Sequence, residues 1–269
     1  MRFTCAARTD TGLVRPVNED RYLMLADRRI FIVADGMGGH AAGEVASEMA
    51  VRSISRAVGS LRGMSAEEAS NRMRTALHAA SAEILEHSRF DSEKRGMGTT
   101  ATVLALLEGC YCIGHVGDSR AYLFRGGRLA QLTRDHSYVE ELVEAGLLTR
   151  RQASMHPLRA VITRWLGGCE EIVPDIHVGT LEEHDTLLLA SDGLTEMLDD
   201  ELLARILGSD GEPRDQVDRM IAEANIRGGV DNLTAVVVRT DIVSSEPGTG
   251  RSLDGASVQL PGHSAGVCR

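Results

Sequence analysis

The sequence predicts a mixed α+β domain. Three observations carry that prediction: six apolar runs of strand length, amphipathic segments of helical period that do not alternate with them one for one, and turn signals between neighbouring runs. A chain of 269 residues, 43% of them hydrophobic, can bury a substantial core in one large domain or two small ones. No internal repeat or second domain is evident.

The first strong strand is "IFIVA" (30–34). A helix is expected over 41–58, with Val45, Met49, Ile54 and Val58 on roughly one face. Ser65 and Glu68 form a capping box ahead of a second helix, whose apolar residues fall at 69, 73, 76, 77, 80 and 84. The runs "TATVLALL" (100–107), "YCIGHV" (111–116) and "AYLF" (121–124) are separated by turn signals at Glu108-Gly109 and Arg125-Gly126-Gly127. Together, 100–132 is expected to form an antiparallel meander. Further helices are predicted at 137–147, 200–207 and 214–226, the last with Pro213 near its start. The strands "TLLLAS" (186–191) and "LTAVVVRT" (233–240) complete the set. From 242 to 269 the chain is rich in Ser, Gly and Pro without periodicity and is expected to be a disordered tail.

Composition excludes several function classes. A formal charge of −10 argues against nucleic acid or an anionic membrane as the main partner. No run of about 18 apolar residues occurs, and "MRFTCAARTD" lacks a secretory core, so a soluble, cytoplasmic protein is expected. Five cysteines without a Cys-x-x-Cys pair fit neither a disulfide framework nor a structural zinc site. Lys94 is the one lysine among 29 basic residues, so there is no P-loop Gly-Lys-Ser/Thr.

"FIVADGMGGHA" (31–41) loosely matches a dinucleotide-binding fingerprint. Asp35, however, would crowd the bound pyrophosphate, and no ribose-binding acid follows about 20 residues on. A different pattern is stronger. "FIVADG" (31–36) and "LLLASDG" (187–193) both run apolar strand, small residue, Asp, Gly. Asp231 precedes a third strand after a Gly-Gly pair, and Asp118 follows a fourth within "GHVGDSR". Glu19 and Asp20 add two acids near the N-terminus. Carboxylates converging from strand ends are costly unless a cation neutralises them, and an all-oxygen set favours Mg²⁺ or Mn²⁺. The glycine after each Asp is expected to turn the backbone sharply and bare a carbonyl.

Rival hydrolytic chemistries fail by inspection. Six residues beyond Cys5, Cys110, Cys112 and Cys169 stand Thr11, Val116, Asp118 and Asp175, so no Cys-x5-Arg exists. Asp-x-Asp, His-Glu-x-x-His and Gly-x-Ser-x-Gly are all missing. A binuclear metal hydrolase survives.

At this point the chain resembles the metal-dependent protein serine/threonine phosphatases of type 2C, in their compact bacterial form. The resemblance rests on "GLVRPVNED" (12–20), "ADGMGGH" (34–40), "GTTATV" (98–103), "GHVGDSRAY" (114–122), "LTRDHS" (132–137), "HPLRAVITRWLG" (156–167), "SDGLTEML" (191–198) and "GGVDNLTAVVV" (228–238). These stretches run in family order over about residues 3 to 240. The resemblance implies a four-layer αββα sandwich, two antiparallel sheets flanked by helix pairs, as one domain over 1–241 with a flap at about 137–165. It implies that Asp35 bridges two Mn²⁺ or Mg²⁺ ions, with the Gly36 carbonyl on one and Asp192 and Asp231 on the other. Glu19 and Asp20 would reach the ions through water, and Asp118 with Asp192 would take a third ion. Arg15 would grip the substrate phosphate.

The implied reaction is hydrolysis of phosphoserine and phosphothreonine in proteins by water activated between two metals, reversing a bacterial Ser/Thr kinase. Charge counting agrees with that division of labour. Two divalent ions match Asp20, Asp35, Asp192 and Asp231, leaving the phosphate dianion to a separate cation, Arg15. The general acid stays unassigned. Met37 stands where many eukaryotic relatives carry His, and His40 is expected to be structural. His136 and His156 are expected to pack at the flap boundaries, His78 to fill space, and Trp165 to pack the flap against the body. A non-catalytic phosphoprotein-binding module and a phosphatase dedicated to anti-sigma-type regulators are the alternatives. The first should have lost metal aspartates, and the second usually carries N-terminal sensory domains. A monomer is expected.

Overall fold

The computed structural model describes residues 2–38, 42–91 and 94–241. His40 and the tail 242–269 lie outside the described residues. Two antiparallel sheets form the centre. The first has strand order β1 (Arg2–Asp10), β11 (Leu233–Asp241), β10 (Thr186–Ala190), β7 (Arg120–Arg125) and β8 (Arg128–Gln131). The second runs β2 (Asp20–Leu25), β3 (Ile30–Met37), β5 (Ala101–Leu106), β6 (Cys110–Val116) and β9 (Asp175–Thr180), with β4 (Gly98–Thr99) paired to the end of β3.

The strand sequences are apolar on both faces because both faces are covered. Along β3, Phe31 and Val33 point into a layer shared with Leu187, Leu189, Val236 and Val238 of the other sheet. Ile30, Ile32 and Ala34 point the opposite way, onto Ile54 of α1 (Ala42–Val58) and Leu77 and Ile84 of α2 (Ala66–Phe90). The first sheet repeats the arrangement. Leu188, Leu233 and Val237 pack on Leu203 of α6 (Asp200–Leu207) and Met220 of α7 (Pro213–Ile226). The result is the expected αββα stack, with three apolar layers and about 1.5–3 kcal/mol of transfer free energy for each fully buried large side chain.

Local signals placed the helices well. The Ser65 hydroxyl accepts from the Glu68 amide, the Glu68 carboxylate accepts from the Ser65 amide, and all six apolar positions predicted for α2 are buried. Pro213 opens α7. The meander needs correction. β5–β6 and β7–β8 are each hairpins, but they belong to different sheets, and the chain crosses between them at 117–119. The β7–β8 turn carries Gly126 and Gly127 at φ 55° and 78°, the left-handed pair that a two-residue hairpin loop needs.

Between β8 and β9 the chain makes an excursion containing α3 (Tyr138–Glu144) and α4 (Arg150–Ser154). Its two ends are tied together, Tyr138 N–H to the Val161 carbonyl and Thr163 N–H to the His136 carbonyl. Trp165 lies just beyond, so close to Gly98 and Gly168 that a Cβ on either would overlap its indole. Among the described residues, no helix is long and apolar enough to cross a membrane.

Candidate active site

The predicted acids meet at one end of the sandwich, at the seam between the sheets. Asp20 opens β2 and stands directly opposite Asp35 of β3 in the strand register. Asp192 is the first residue of α5 (Asp192–Met197), just after β10. Asp231 precedes β11, and Asp118 sits in the crossing between β6 and β7. One sheet therefore supplies Asp20 and Asp35, and the other supplies Asp192 and Asp231.

Asp20 is buried. Its Oδ2 accepts hydrogen bonds from Ser191 Oγ at 2.7 Å and Thr234 Oγ1 at 2.6 Å, both reaching over from the other sheet. Its Oδ1 has no hydrogen-bond partner among the described residues, and neither has Asp118 Oδ1. Burial, opposed by the two hydroxyl donors and reinforced by Asp192 and Asp231, pushes the Asp20 carboxyl up to about 7. Burial also holds Asp35 well above the usual carboxylate range, with Asp20 and Asp192 adding repulsion. Asp35 and Asp192 share a carboxyl–carboxylate hydrogen bond, and burial raises Asp192 too. Asp118 is raised by burial and then by Asp192 and Asp135.

Around this cluster the positions are fixed by backbone contacts. The Asp35 amide donates to Thr100 Oγ1 at 3.0 Å, while Thr99 Oγ1 donates to the Asp35 carbonyl at 2.8 Å. Asn232 ties three segments together: its Oδ1 accepts from the Glu19 amide, and its Nδ2 donates to the carbonyls of Thr11 and Val17. The Glu19 carboxyl, raised chiefly by burial, takes the Gly43 amide. Beside Asp118, His136 Nδ1 accepts from the Gly117 amide at 3.1 Å, which leaves Nε2–H to face Asp175 Oδ2 at 3.2 Å. Arg120 grips Asp135 with both Nε and Nη2.

Two expectations change. Gly36 does not turn the chain: β3 runs through it to Met37, and its φ is not positive. Glycine is needed there because a Cβ would overlap the Gly43 carbonyl oxygen at the start of α1. His136 does more than pack, since its ring orders the backbone that carries Asp118. The other two histidines named in the sequence within the described residues have minor roles. His156 Nδ1 accepts from the Leu158 amide, and His78 is half-buried on α2.

Arg15 is half exposed and ion-paired with Asp231, Nη2 to Oδ2 at 2.7 Å. Among the described residues no group of three or more His, Cys, Asp or Glu side chains is arranged to hold a metal ion as it stands. Next to Asp118 and Asp192 a cavity of about 380 Å³ opens between α5 and the α3–α4 excursion, with Glu140, Arg150, Arg159 and Glu196 on its walls. Ser191, Thr234, Asn232 and Thr100 went unnoticed in the sequence. Single hydroxyls and amides have no spacing signature, and only their place beside the Asp motifs could have suggested them.

A four-layer sandwich whose seam holds buried carboxylates, with an arginine at the rim, defines a metal-dependent hydrolase of phosphate esters. Residues 15–220 match the protein phosphatase 2C family. The chain belongs to that family. It is 39% identical over 239 residues to the serine/threonine phosphatase stp of Listeria monocytogenes, covering 87% of this chain and 95% of that one. The Mycobacterium tuberculosis serine/threonine phosphatase PstP/Ppp superposes with a TM-score of 0.81 at 35% identity, over 89% of this chain and 99% of its own. A structure of the PstP catalytic domain in complex with two manganese ions is similar at a TM-score of 0.80 and 35% identity, over the same shares.

Proposed function

We propose that this metal-dependent protein serine/threonine phosphatase works through Asp35, the Gly36 carbonyl, Asp192 and Asp231 as ligands of two Mn²⁺ or Mg²⁺ ions. Glu19 and Asp20 would support them through water, and Asp118 with Asp192 would form a third, weaker position. The observation that carries this reading is the pair of buried, unpartnered carboxylate oxygens, Asp20 Oδ1 and Asp118 Oδ1, beside the bonded Asp35–Asp192 pair. A buried oxygen with no donor is an acceptor waiting for a cation, and an all-oxygen donor set suits hard ions. When bound, the ions supply Lewis-acid activation of water and neutralise charge in the in-line displacement.

The chain's own residues do the rest. Ser191 and Thr234 hold the Asp20 carboxylate by one oxygen and leave the other free for a metal-bound water. Arg15 exchanges Asp231 for the substrate phosphate, which it can grip with two parallel N–H bonds. Met37 offers no proton to the leaving alkoxide, and no side chain is assigned as its general acid. The α3–α4 excursion acts as the flap beside the cleft, since its tied ends let it move as one piece. The substrates are phosphoserine and phosphothreonine proteins made by a cognate Ser/Thr kinase, and a cytoplasmic monomer fits the composition. A non-catalytic binding module finds no support in a site that keeps Asp35, Asp192 and Asp231.

Hydrolysis of a phosphothreonine peptide with Mn²⁺, with EDTA, and by Asp192→Asn tests the assignment. Turnover should vanish with EDTA and fall at least a hundredfold in the variant. EDTA-resistant turnover, or full activity of Asp192→Asn, would overturn it. Arg15→Ala should chiefly raise KM.

A further inference from the structure

The loop between β1 and β2 and the segment 226–230 place several large apolar side chains in solvent. Leu13 is 68% exposed, Val14 65% and Ile226 78%, with Val17 and Val230 also exposed. Leu13 brings the two segments together. The Leu13 amide donates to the Gly229 carbonyl at 2.7 Å, and Leu13 Cγ rests 3.1 Å from where a Cβ on Gly229 would stand. Asn232 fastens the same loop at Thr11 and Val17. Exposed large apolar side chains on backbone held this firmly point to a binding surface rather than loose loop filler.

Its position says what binds. Arg15 follows Val14 in the same loop, and its guanidinium pairs with Asp231 of the carboxylate cluster. Leu13 and Val14 directly precede Arg15 in the chain, so a polypeptide with its phosphate on Arg15 has them within reach. Consecutive Cα atoms are about 3.8 Å apart, so these side chains face substrate residues one or two positions from the phosphorylated one. We infer that Leu13, Val14 and Val230 form a docking surface for an apolar side chain flanking the phosphoserine or phosphothreonine of the substrate. This rests on the phosphatase reading above. The excursion with α3 and α4 borders the cluster from the Asp118 side, so the patch is a separate determinant of sequence preference.

The test uses the Mn²⁺-loaded protein and two phosphothreonine peptides of equal length and charge, one with Leu and one with Ser on both sides of the phosphothreonine. p-Nitrophenyl phosphate, which has no flanking residues, is the third substrate. The Leu-flanked peptide should show kcat/KM about tenfold higher, as expected for partial burial of one or two aliphatic side chains. In Leu13→Asp/Val14→Asp, whose thermal midpoint checks its folding, that ratio should collapse to about one. Equal kcat/KM for the two peptides in the wild type, or a preference that survives the double variant, would overturn the docking surface. A dimer seen by sedimentation that the double variant abolishes, with the peptide preference intact, would assign the patch to a second copy of the chain instead. Failure to hydrolyse p-nitrophenyl phosphate with Mn²⁺ would strike the phosphatase reading itself and the docking role with it.

Discussion

The Asp20 carboxylate and the Thr234 hydroxyl, 214 residues apart, meet at 2.6 Å across the seam between the two sheets. Asp20 opens a strand of one sheet, and Thr234 belongs to β11, an interior strand of the other. With Ser191 at 2.7 Å, this contact fixes which way a buried carboxylate faces.

Thr234→Val keeps the shape and deletes the donor. It should lower stability by about 1–3 kcal/mol, the range for stripping a partner from a buried polar group. Urea unfolding should show a lower midpoint with an unchanged slope. Apparent Mn²⁺ affinity in a titration of activity should fall as well, because Asp20 is freed to rotate.

Metal and pH should be linked through Asp20. Its carboxyl is raised to about 7, so the metal-free protein gains stability from it below about pH 4 and loses that gain as pH rises through 7. A cation must displace the proton below 7 and meets a carboxylate above it. Mn²⁺ should therefore raise the thermal midpoint more at pH 8 than at pH 6, and EDTA should reverse the gain at both. An equal gain at the two pH values would contradict the linkage.

His115 should report in the opposite sense. Burial, with His136 nearby, lowers its pKa to about 4, and its ring bonds Thr102 Oγ1 and the Arg134 carbonyl. The unfolded chain takes a proton near 6.5 and the folded one does not until about 4. Stability should thus fall as pH drops across that window, by up to about 3 kcal/mol. Comparing wild type with His115→Gln at pH 7 and pH 4.5 isolates the effect, since the variant should lack that part of the slope.

Gly36→Ala should be poorly tolerated although its backbone is ordinary. The new Cβ would overlap the Gly43 carbonyl, which is backbone and has nowhere to rotate. The cost should reach the upper end of the roughly 1–3 kcal/mol typical of overpacking, read from urea unfolding. Gly126→Ala, where no atom lies within 4 Å of the new Cβ and the only cost is its left-handed φ of 55°, separates backbone strain from overlap.

What the sequence disclosed depended on how local the signal was. Ser65 and Glu68 announced α2 because a capping box is complete within four residues. Strands such as β3 and β11 announced themselves through continuous apolar runs. Apart from the two-residue β4, the strands that escaped, β1, β2 and β9, are all sheet edges with mostly half-buried or exposed residues, where neither continuity nor alternation is strong. The crossing at 117–119 was missed because a hairpin and a change of sheet look alike in one dimension. Asp35, Asp192, Asp231 and Asp118 were legible as a class through their glycine neighbours. Their partners Ser191 and Thr234 were not, since a hydroxyl bonded to a carboxylate far away in the chain leaves no local trace.

Because each sheet carries half of the carboxylates, the site works like the paired jaws of a vernier. A small slide of one sheet over the other separates Asp20 and Asp35 from Asp192 and Asp231 while leaving each sheet intact. Phe31 and Val236, which fill the layer between the sheets, therefore set the gauge of the site from a distance. Loosening at either position would be read out as lost turnover well before it is read out as lost structure.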